Sequence, residues 1–190
     1  MSHHDDAIEL TTPLTREAVA GLRTGQAVLL SGIVYTARDA AHQRLVDAIA
    51  SGDPLPLPLD GQTIYYCGPA PAPERRPIGS CGPTSSARMD AYIEPLLALG
   101  LRATIGKGNR SIEVRRALVR YGAVYLVAVG GAGALLAETV TAARVVAYPE
   151  LGPEAIYELT IERMPTLVAY DTVGGTAFAR EDPLESSSRL

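Results

Sequence analysis

The chain has 190 residues, 47% of them hydrophobic and 20% charged, with a formal net charge of −4. These values predict one soluble globular domain and no nucleic-acid partner, which would require a basic surface. Cys67 and Cys81 are too few for a disulfide framework, and too few to hold a metal ion or an iron–sulfur cluster on their own. Because the sequence shows neither a signal peptide nor an apolar run of about 18 residues, we expect a cytoplasmic protein without membrane contact.

The hydrophobic pattern predicts alternating strands and helices in a single domain, residues 8–180, with disordered tails at 1–7 and 181–190. In the first tail, His3 and His4 are interpreted as a disordered pair, with metal binding as the alternative. Strands are expected at 8–13, 26–35, 63–67, 101–105, 123–129, 143–148 and 165–171. Helices are expected at 15–22, 36–49, 84–99, 111–121 and 135–142, with a helical turn at 153–159. Gly32 indicates a bulge in its strand, and Pro95 indicates a kink or a break in its helix.

Residues 79–90 contain the groups on which we expect the chemistry to depend. A glycine–proline turn is followed by three hydroxyl side chains at 84–86 and then by an apolar periodic run, the pattern of a helix start. Helix N-termini bind anions, and Arg88 lies one turn after Thr84 on the same face of the expected helix. The segment therefore predicts a carboxylate or phosphate site, with an ordinary helix cap and a surface arginine as the alternative.

A second candidate lies at the start of the helix expected after the second strand. Thr36 is interpreted as its N-cap and Asp39 as the acidic partner in a capping box. Arg38 stands in the first turn, where the helix dipole disfavours a cation, and this favours a bound anion. His42 follows one turn later on the same face, although a lone histidine is more often a structural hydrogen-bonding residue than a catalytic one.

Two glycine-rich turns complete the set. Lys107 stands between glycines after a strand, without the remainder of a nucleotide phosphate loop, and Gly130 and Gly131 expose backbone N–H groups before a helix. In an open α/β sheet such turns meet at one edge, so we expect them to form one carboxylate site with Arg38 and Thr84. No acidic residue is well placed to pair with the cations on their own elements, so they are expected to repel each other until a dianion binds.

Five motifs also stand in the order seen in one enzyme family, namely SGIVYTARDAAH (31–42), YYCGP (65–69), GPTSSARMD (82–90), IGKG (105–108) and VAVGG (127–131). In these motifs the chain resembles the β subunit of class I fumarase and L-tartrate dehydratase, equivalent to the C-terminal domain of the fused forms. The resemblance runs from about Leu10 to Ala179. It implies an α/β fold of the swivelling β/β/α type. It also implies an α subunit that carries a [4Fe–4S] cluster on its own three cysteines, while this chain binds no metal.

Carried over residue by residue, the resemblance implies that Thr84 is the catalytic base. It implies that three cations hold the carboxylates of the substrate: Arg38, Arg88 and Lys107. Ser85 stands where the family usually has a second threonine, and the hydroxyl is kept. A threonine hydroxyl is a weak base, so Asp39, Asp90 or a group of the α subunit is expected to activate it. The remaining candidates for supporting roles are His42, Gly130 and Gly131.

The implied reaction is the reversible addition of water to a four-carbon dicarboxylate, from fumarate to malate, by an enzyme active only with its α subunit. L-tartrate dehydratase is the alternative within the family. Two other classes stay open: a stand-alone carboxylate-binding module that has lost its α subunit, and an isolated hydro-lyase that uses another metal. The lack of a Cys/His/Asp cluster disfavours the second. The expected assembly is a homodimer or an α2β2 complex.

Overall fold

In the computed structural model, residues 7–129 and 131–184 are described and form seven strands, five α-helices and two 3₁₀-helices. The strands are β1 (Ile8–Thr11), β2 (Ala27–Thr36), β3 (Thr63–Tyr65), β4 (Ala103–Gly106), β5 (Val124–Val127), β6 (Val140–Ala147) and β7 (Ile156–Tyr170). The α-helices are α1 (Arg16–Ala20), α2 (Asp39–Ser51), α3 (Ile93–Ala98), α4 (Ile112–Tyr121) and α5 (Gly133–Glu138). The 3₁₀-helices span Ser86–Tyr92 and Pro149–Glu154.

The last strand closes the sheet into a barrel. The strands β2, β3, β4 and β5 are parallel neighbours in that order. The strand β7 runs antiparallel to both β2 and β5, and Leu167 pairs with Ala27 of β2 on one side and with Val127 of β5 on the other. The strands β1 and β6 extend the sheet beside β2 and β7. The molecule is therefore a mixed α/β domain around a closed barrel, rather than the open sheet used in the sequence argument.

Alternation along the strands divides the apolar side chains into two clusters. In and just after β3, Tyr65 and Cys67 belong to the inner cluster, whereas Ile64 and Tyr66 belong to the outer one. The inner cluster joins the strands to α1 and α5, and the outer cluster lies between the strands and α2, α3 and α4. Within residues 7–129 and 131–184, no helix combines the length and the apolar character needed to cross a bilayer.

Local signals in the sequence are confirmed at several places. The hydroxyl of Thr15 caps α1 by accepting a hydrogen bond from the backbone N–H of Ala18 at 3.1 Å. The register between β2 and β7 shifts between Leu30 and Gly32, which is the bulge expected at that glycine. The predicted order of strands and helices is also the observed one up to residue 147.

The helix cap assigned to Thr36 is wrong. Thr36 is the last residue of β2, and its hydroxyl accepts a hydrogen bond at 3.0 Å from the backbone N–H of Tyr157, in β7. Arg38 occupies the N-cap of α2 without a side-chain cap, so no capping box with Asp39 forms.

The helix break also differs from the prediction: it falls between the 3₁₀-helix and α3. Pro95 stands in the first turn of α3, where a proline disrupts no helical hydrogen bond.

The end of the chain holds a further correction. The helical turn expected at 153–159 falls mainly in β7, which starts at Ile156 rather than at residue 165. Just beyond the expected domain boundary, the carboxylate of Glu181 accepts a hydrogen bond from the Tyr170 hydroxyl at 2.8 Å. Residues 1–6 and 185–190 of the predicted tails lie outside the described residues, and the domain boundaries stay a prediction.

Gly32 offers a test of the bulge. Its φ is +103°, and a Cβ at this position would lie 2.9 Å from the carbonyl oxygen of Thr12. Gly25 also has a positive φ, but a Cβ there would meet no atom within 4 Å. We expect Gly25→Ala to lower the free energy of unfolding by about 1–2 kcal/mol through backbone strain. Gly32→Ala is expected to cost a further 1–3 kcal/mol, roughly, because of the steric clash.

Urea denaturation of the two variants measures this difference. If Gly25→Ala and Gly32→Ala lower the free energy of unfolding equally, Thr12 moves aside without an energetic penalty. The close packing around the bulge would then not constrain β2.

Candidate active site

The candidate residues follow strands whose carboxyl ends lie at one edge of the barrel, because β2, β3, β4 and β5 are parallel neighbours. Arg38 follows β2 by two residues, and Lys107 directly follows β4. Thr84 lies in the long connection after β3, and Gly131 lies in the turn after β5. Gly130 lies outside the described residues. The four turns singled out in the sequence thus leave the barrel at the same edge, which we call the site edge.

Thr84 is held in an extended segment that adds to this edge. Its backbone N–H donates to the carbonyl of Tyr66 at 2.6 Å, and its carbonyl accepts from the N–H of Lys107 at 3.3 Å. Ser85 forms an isolated parallel bridge with Lys107. Thr84 therefore precedes the 3₁₀-helix instead of starting a helix, and the expectation that Thr84 and Arg88 share one helical turn is wrong. The backbone of Thr84 is paired with that of Lys107, whereas no helical turn connects Thr84 to Arg88.

Arg88 is paired with Asp39. The Arg88 Nε donates to Oδ1 of Asp39 at 3.0 Å and Nη2 donates to Oδ2 at 2.8 Å, while the side chain of Arg88 stays half exposed. This two-point contact fixes the plane of the guanidinium and joins the 3₁₀-helix to the start of α2. The sequence shows no acidic partner for Arg88 on its own element, and the partner comes from an element 49 residues away. The expectation of an uncompensated cation is therefore wrong for Arg88.

Arg38 also has an acidic neighbour. Its Nε lies 3.4 Å from Oε1 of Glu154, without hydrogen-bond geometry. The guanidinium rests against Gly68, where an added Cβ would lie 3.0 Å from Nη1 of Arg38.

Lys107 is exposed and has no carboxylate within 4 Å among the residues that the structure describes. The expected repulsion between three unpaired cations is thus reduced, although three cations against two carboxylates still leave a positive charge at the site edge.

His42 lies buried behind Arg38. Its Nδ1 is 2.9 Å from the carbonyl oxygen of Arg38, and this geometry makes Nδ1 the donor. Its Nε2 is buried without a hydrogen-bond partner among the described residues. Burial lowers the pKa of His42 to about 4, against the opposing effect of the Arg38 carbonyl. The ring is therefore neutral near pH 7, and its contact with Arg38 is the structural role expected for a lone histidine.

Asp90 connects to a residue that the sequence argument missed. Its Oδ1 lies 2.5 Å from Nε of Arg110, and its Oδ2 accepts from the backbone N–H of Ser111 at 2.7 Å. The Arg110 side chain is fully buried, with its guanidinium carbon 5.3 Å from the ring centre of Tyr66 and 5.2 Å from that of Tyr125. The sequence signal that points to Arg110 is its place directly before a helix N-cap and three residues after Lys107.

The cysteines do not fit an iron–sulfur cluster. Cys67 and Cys81 are both buried and free. The hydrogen bond to the Cys81 thiol and burial together raise the pKa of Cys67, which disfavours the thiolate that a metal needs. In the described part of the chain, no three His, Cys, Asp or Glu side chains are grouped as a metal site would require. These residues therefore offer no place for a cluster.

Comparison with known proteins identifies relatives over nearly the whole chain. The sequence model of the family described as Fumarase C-terminus matches residues 1–181. Fumarate hydratase 2 of Leishmania major is 34% identical over 91% of this chain and 31% of its own length. The aerobic class I fumarate hydratase of Escherichia coli K12 is 39% identical over 78% of this chain and 28% of its own length.

A shorter relative has nearly the same extent as this chain. A protein of Methanocaldococcus jannaschii, provisionally named L(+)-tartrate dehydratase subunit beta, is 38% identical over 87% of this chain and 88% of its own length. The chain thus spans about a third of the fumarate hydratases above, but most of this subunit.

The neutral, buried His42 makes stability depend on pH. An unfolded histidine binds a proton below about pH 6.5, whereas folded His42, with its pKa lowered to about 4, does not. The unfolded chain then holds more protons, so stability falls as the pH drops from 6.5 to 4, by up to about 3 kcal/mol. We expect His42→Gln to flatten this part of the pH profile of the unfolding free energy.

The chain has three histidines. The comparison is therefore made in a His3→Gln, His4→Gln background, where His42 is the single histidine. Identical slopes with and without His42 would contradict the assignment of a neutral buried ring.

Proposed function

The chain belongs to the family of the fumarase C-terminus, and from this membership we propose that it is the β-type half of a hydro-lyase acting on a four-carbon dicarboxylate. The proposed reaction is the reversible addition of water to fumarate to give malate. The observation that carries the proposal is the arrangement at the site edge. There, Arg38 and Lys107 follow parallel strands, Arg88 lies in the 3₁₀-helix after Thr84, and the backbone of Thr84 is paired to that of Lys107.

The cations offer contacts for both ends of a dicarboxylate. We assign the binding of its two carboxylates to Arg38, Arg88 and Lys107. Lys107 lacks a carboxylate partner in the described residues, and the site edge retains a positive charge that attracts a dianion. Asp39 orients Arg88, so its guanidinium meets a substrate oxygen in a fixed plane. In the reaction, these cations stabilise negative charge that moves into the carboxylate next to the carbon losing its proton.

Thr84 is the proposed proton acceptor. Its half-buried side chain has no hydrogen-bond partner among the described residues, so its Oγ1, once a base has taken the hydroxyl proton, is available to take the proton from carbon and to return it. Both oxygens of Asp39 are bound by Arg88, and both oxygens of Asp90 are bound at the start of α4. For this reason we assign the activation of Thr84 to a group of the α subunit.

The proposed partner is an α subunit, which corresponds to the part of the longer relatives that this chain does not span. We propose that the [4Fe–4S] cluster belongs to that subunit, because Cys67 and Cys81 form no cluster site. A cluster of this type supplies a Lewis acid for the substrate hydroxyl. The swivelling β/β/α fold, the cytoplasmic location and a homodimeric or α2β2 assembly remain predictions of this proposal.

L-tartrate is the second candidate substrate. The shorter relative, named as a tartrate dehydratase β subunit, matches this chain over 88% of its length, whereas the fumarate hydratases are about three times longer. Assays of the complex with its α subunit on fumarate, malate and L-tartrate decide between the two. A chain that binds dicarboxylates but never associates with an α subunit would instead be a stand-alone binding module.

Thr84→Ala tests the proton acceptor in the assembled enzyme. The substitution removes a hydroxyl but no charge, so we expect kcat to fall by about 10²–10⁴ with little change in substrate affinity. Thr84→Ser should retain part of the activity, since its hydroxyl occupies a similar place. Normal turnover by the alanine variant would mean that Thr84 has only a structural role.

Dicarboxylate binding tests the cations on the chain itself. We expect malate or fumarate to raise the melting temperature by mass action. Arg88→Lys loses the two-point geometry and should weaken binding by one to two decades, which corresponds to about 1.5–3 kcal/mol. Arg120 forms a similar exposed pair with Glu94 at 2.8 Å on α4, so Arg120→Lys is the matched control. Equal affinities for both variants would remove Arg88 from the site.

A further inference from the structure

Arg110 is a buried cation with few ways to balance its charge. Its side chain has no solvent exposure, and Asp90 is the acidic group that it contacts. Two tyrosine rings flank it, and its Nη1 lies 3.3 Å from the hydroxyl of Tyr66. Its Nη2 has no hydrogen-bond partner among the described residues. Buried ion pairs are often no more stabilising than apolar residues of similar size, so stability alone does not account for this one.

The pair joins the two segments that carry the candidate chemistry. Asp90 lies in the 3₁₀-helix Ser86–Tyr92, two residues after Arg88. Arg110 lies in the turn after β4, three residues after Lys107. Asp90 also accepts from the backbone N–H of Ser111, at the N-cap of α4. The carboxylate of Asp90 thus fixes the turn after β4, which contains Lys107 and Arg110, against the segment that contains Thr84 and Arg88.

A second contact ties the same two segments together. The hydroxyl of Tyr125 donates to the carbonyl of Gly108 and accepts from the hydroxyl of Ser86, both at 2.8 Å. Gly106 has no room for a side chain, because an added Cβ would run into Ser86. The turn that contains Lys107 and the segment that contains Thr84 and Ser86 are therefore closely packed around Arg110 and Tyr125.

We propose that Arg110 is a positioning residue for the proposed reaction and that, through Asp90, it holds the 3₁₀-helix with Arg88 in place relative to Thr84 and Lys107, whose backbones are paired. The proposal rests on the proposed function. It differs from the roles of the candidate cations because Arg110 is buried beneath the site edge and acts through the two segments. Displacement of a reacting group by about 1 Å costs about 10²-fold in rate, so loosening this tie lowers kcat.

A charge-neutral exchange separates positioning from stability. Arg110→Met removes the cation from Asp90, whose partly buried carboxylate keeps only its hydrogen bond from Ser111, and should lower the melting temperature by about 10 °C. Adding Asp90→Asn removes the unpaired charge and should restore most of that loss. In the complex with the α subunit, we expect the double variant to keep a kcat about 10- to 100-fold below wild type, with KM changed by less than about threefold.

Arg115 is the matched control. It is nearly as buried, stacks on a tyrosine ring at 5.2 Å, and pairs with Glu181 at 3.5 Å, yet it contacts neither segment of the site. Arg115→Met should lower the melting temperature while kcat stays within about twofold of wild type. Tyr125→Phe removes the second tie and should lower kcat by about tenfold. Asp90→Asn alone breaks the ion pair but keeps Arg110, and it decides the question if the double variant does not fold.

A double variant, or Asp90→Asn in its place, that folds and turns over at the wild-type rate would overturn the role of Arg110 and leave the proposed function standing. A wild-type complex that converts none of fumarate, malate and L-tartrate would refute the proposed function, and the positioning role with it.

Discussion

The ion pair between Asp90 and the buried Arg110, beside the aromatic rings of Tyr66 and Tyr125, is the side-chain interaction that holds the 3₁₀-helix of the candidate site against the turn after β4. Charges inside a protein interact strongly because little water screens them, and they tolerate little displacement for the same reason. Here the carboxylate belongs to the segment after β3 and the guanidinium to the turn after β4. Local turns on neighbouring strands thereby become parts of one rigid surface.

The positive charge at the site edge is partly balanced by carboxylates of the chain itself. Asp39 and Glu154 neutralise much of the charge on Arg88 and Arg38 before any ligand binds. A ligand must therefore match the remaining positive charge and the fixed plane of Arg88, and not merely bring negative charge. Such an arrangement favours specificity over raw affinity, since poorly placed anions gain little when they compete with carboxylates already in place.

Sequence reasoning succeeded where the physics is local and failed where partners are distant in the chain. The Thr15 cap and the Gly32 bulge depend on nearby residues or on one unusual backbone angle, and both were predicted. Thr36 looked like a helix cap, but its partner is a backbone amide 121 residues later. The pairs of Arg88 and Arg110 likewise join separate elements, so no spacing rule reveals them. The catalytic roles of the candidate residues remain predictions.

The strand that closes the barrel is the last of the described strands along the chain. The 15-residue strand β7 pairs with β2, and Leu167 completes the ring. During synthesis, the edge of β2 that faces β7 stays unpaired while more than a hundred residues are added, a state that favours association with other chains. A domain built on such distant contacts folds slowly compared with one built from neighbours. That edge of β2 is therefore covered only after β7 has been made.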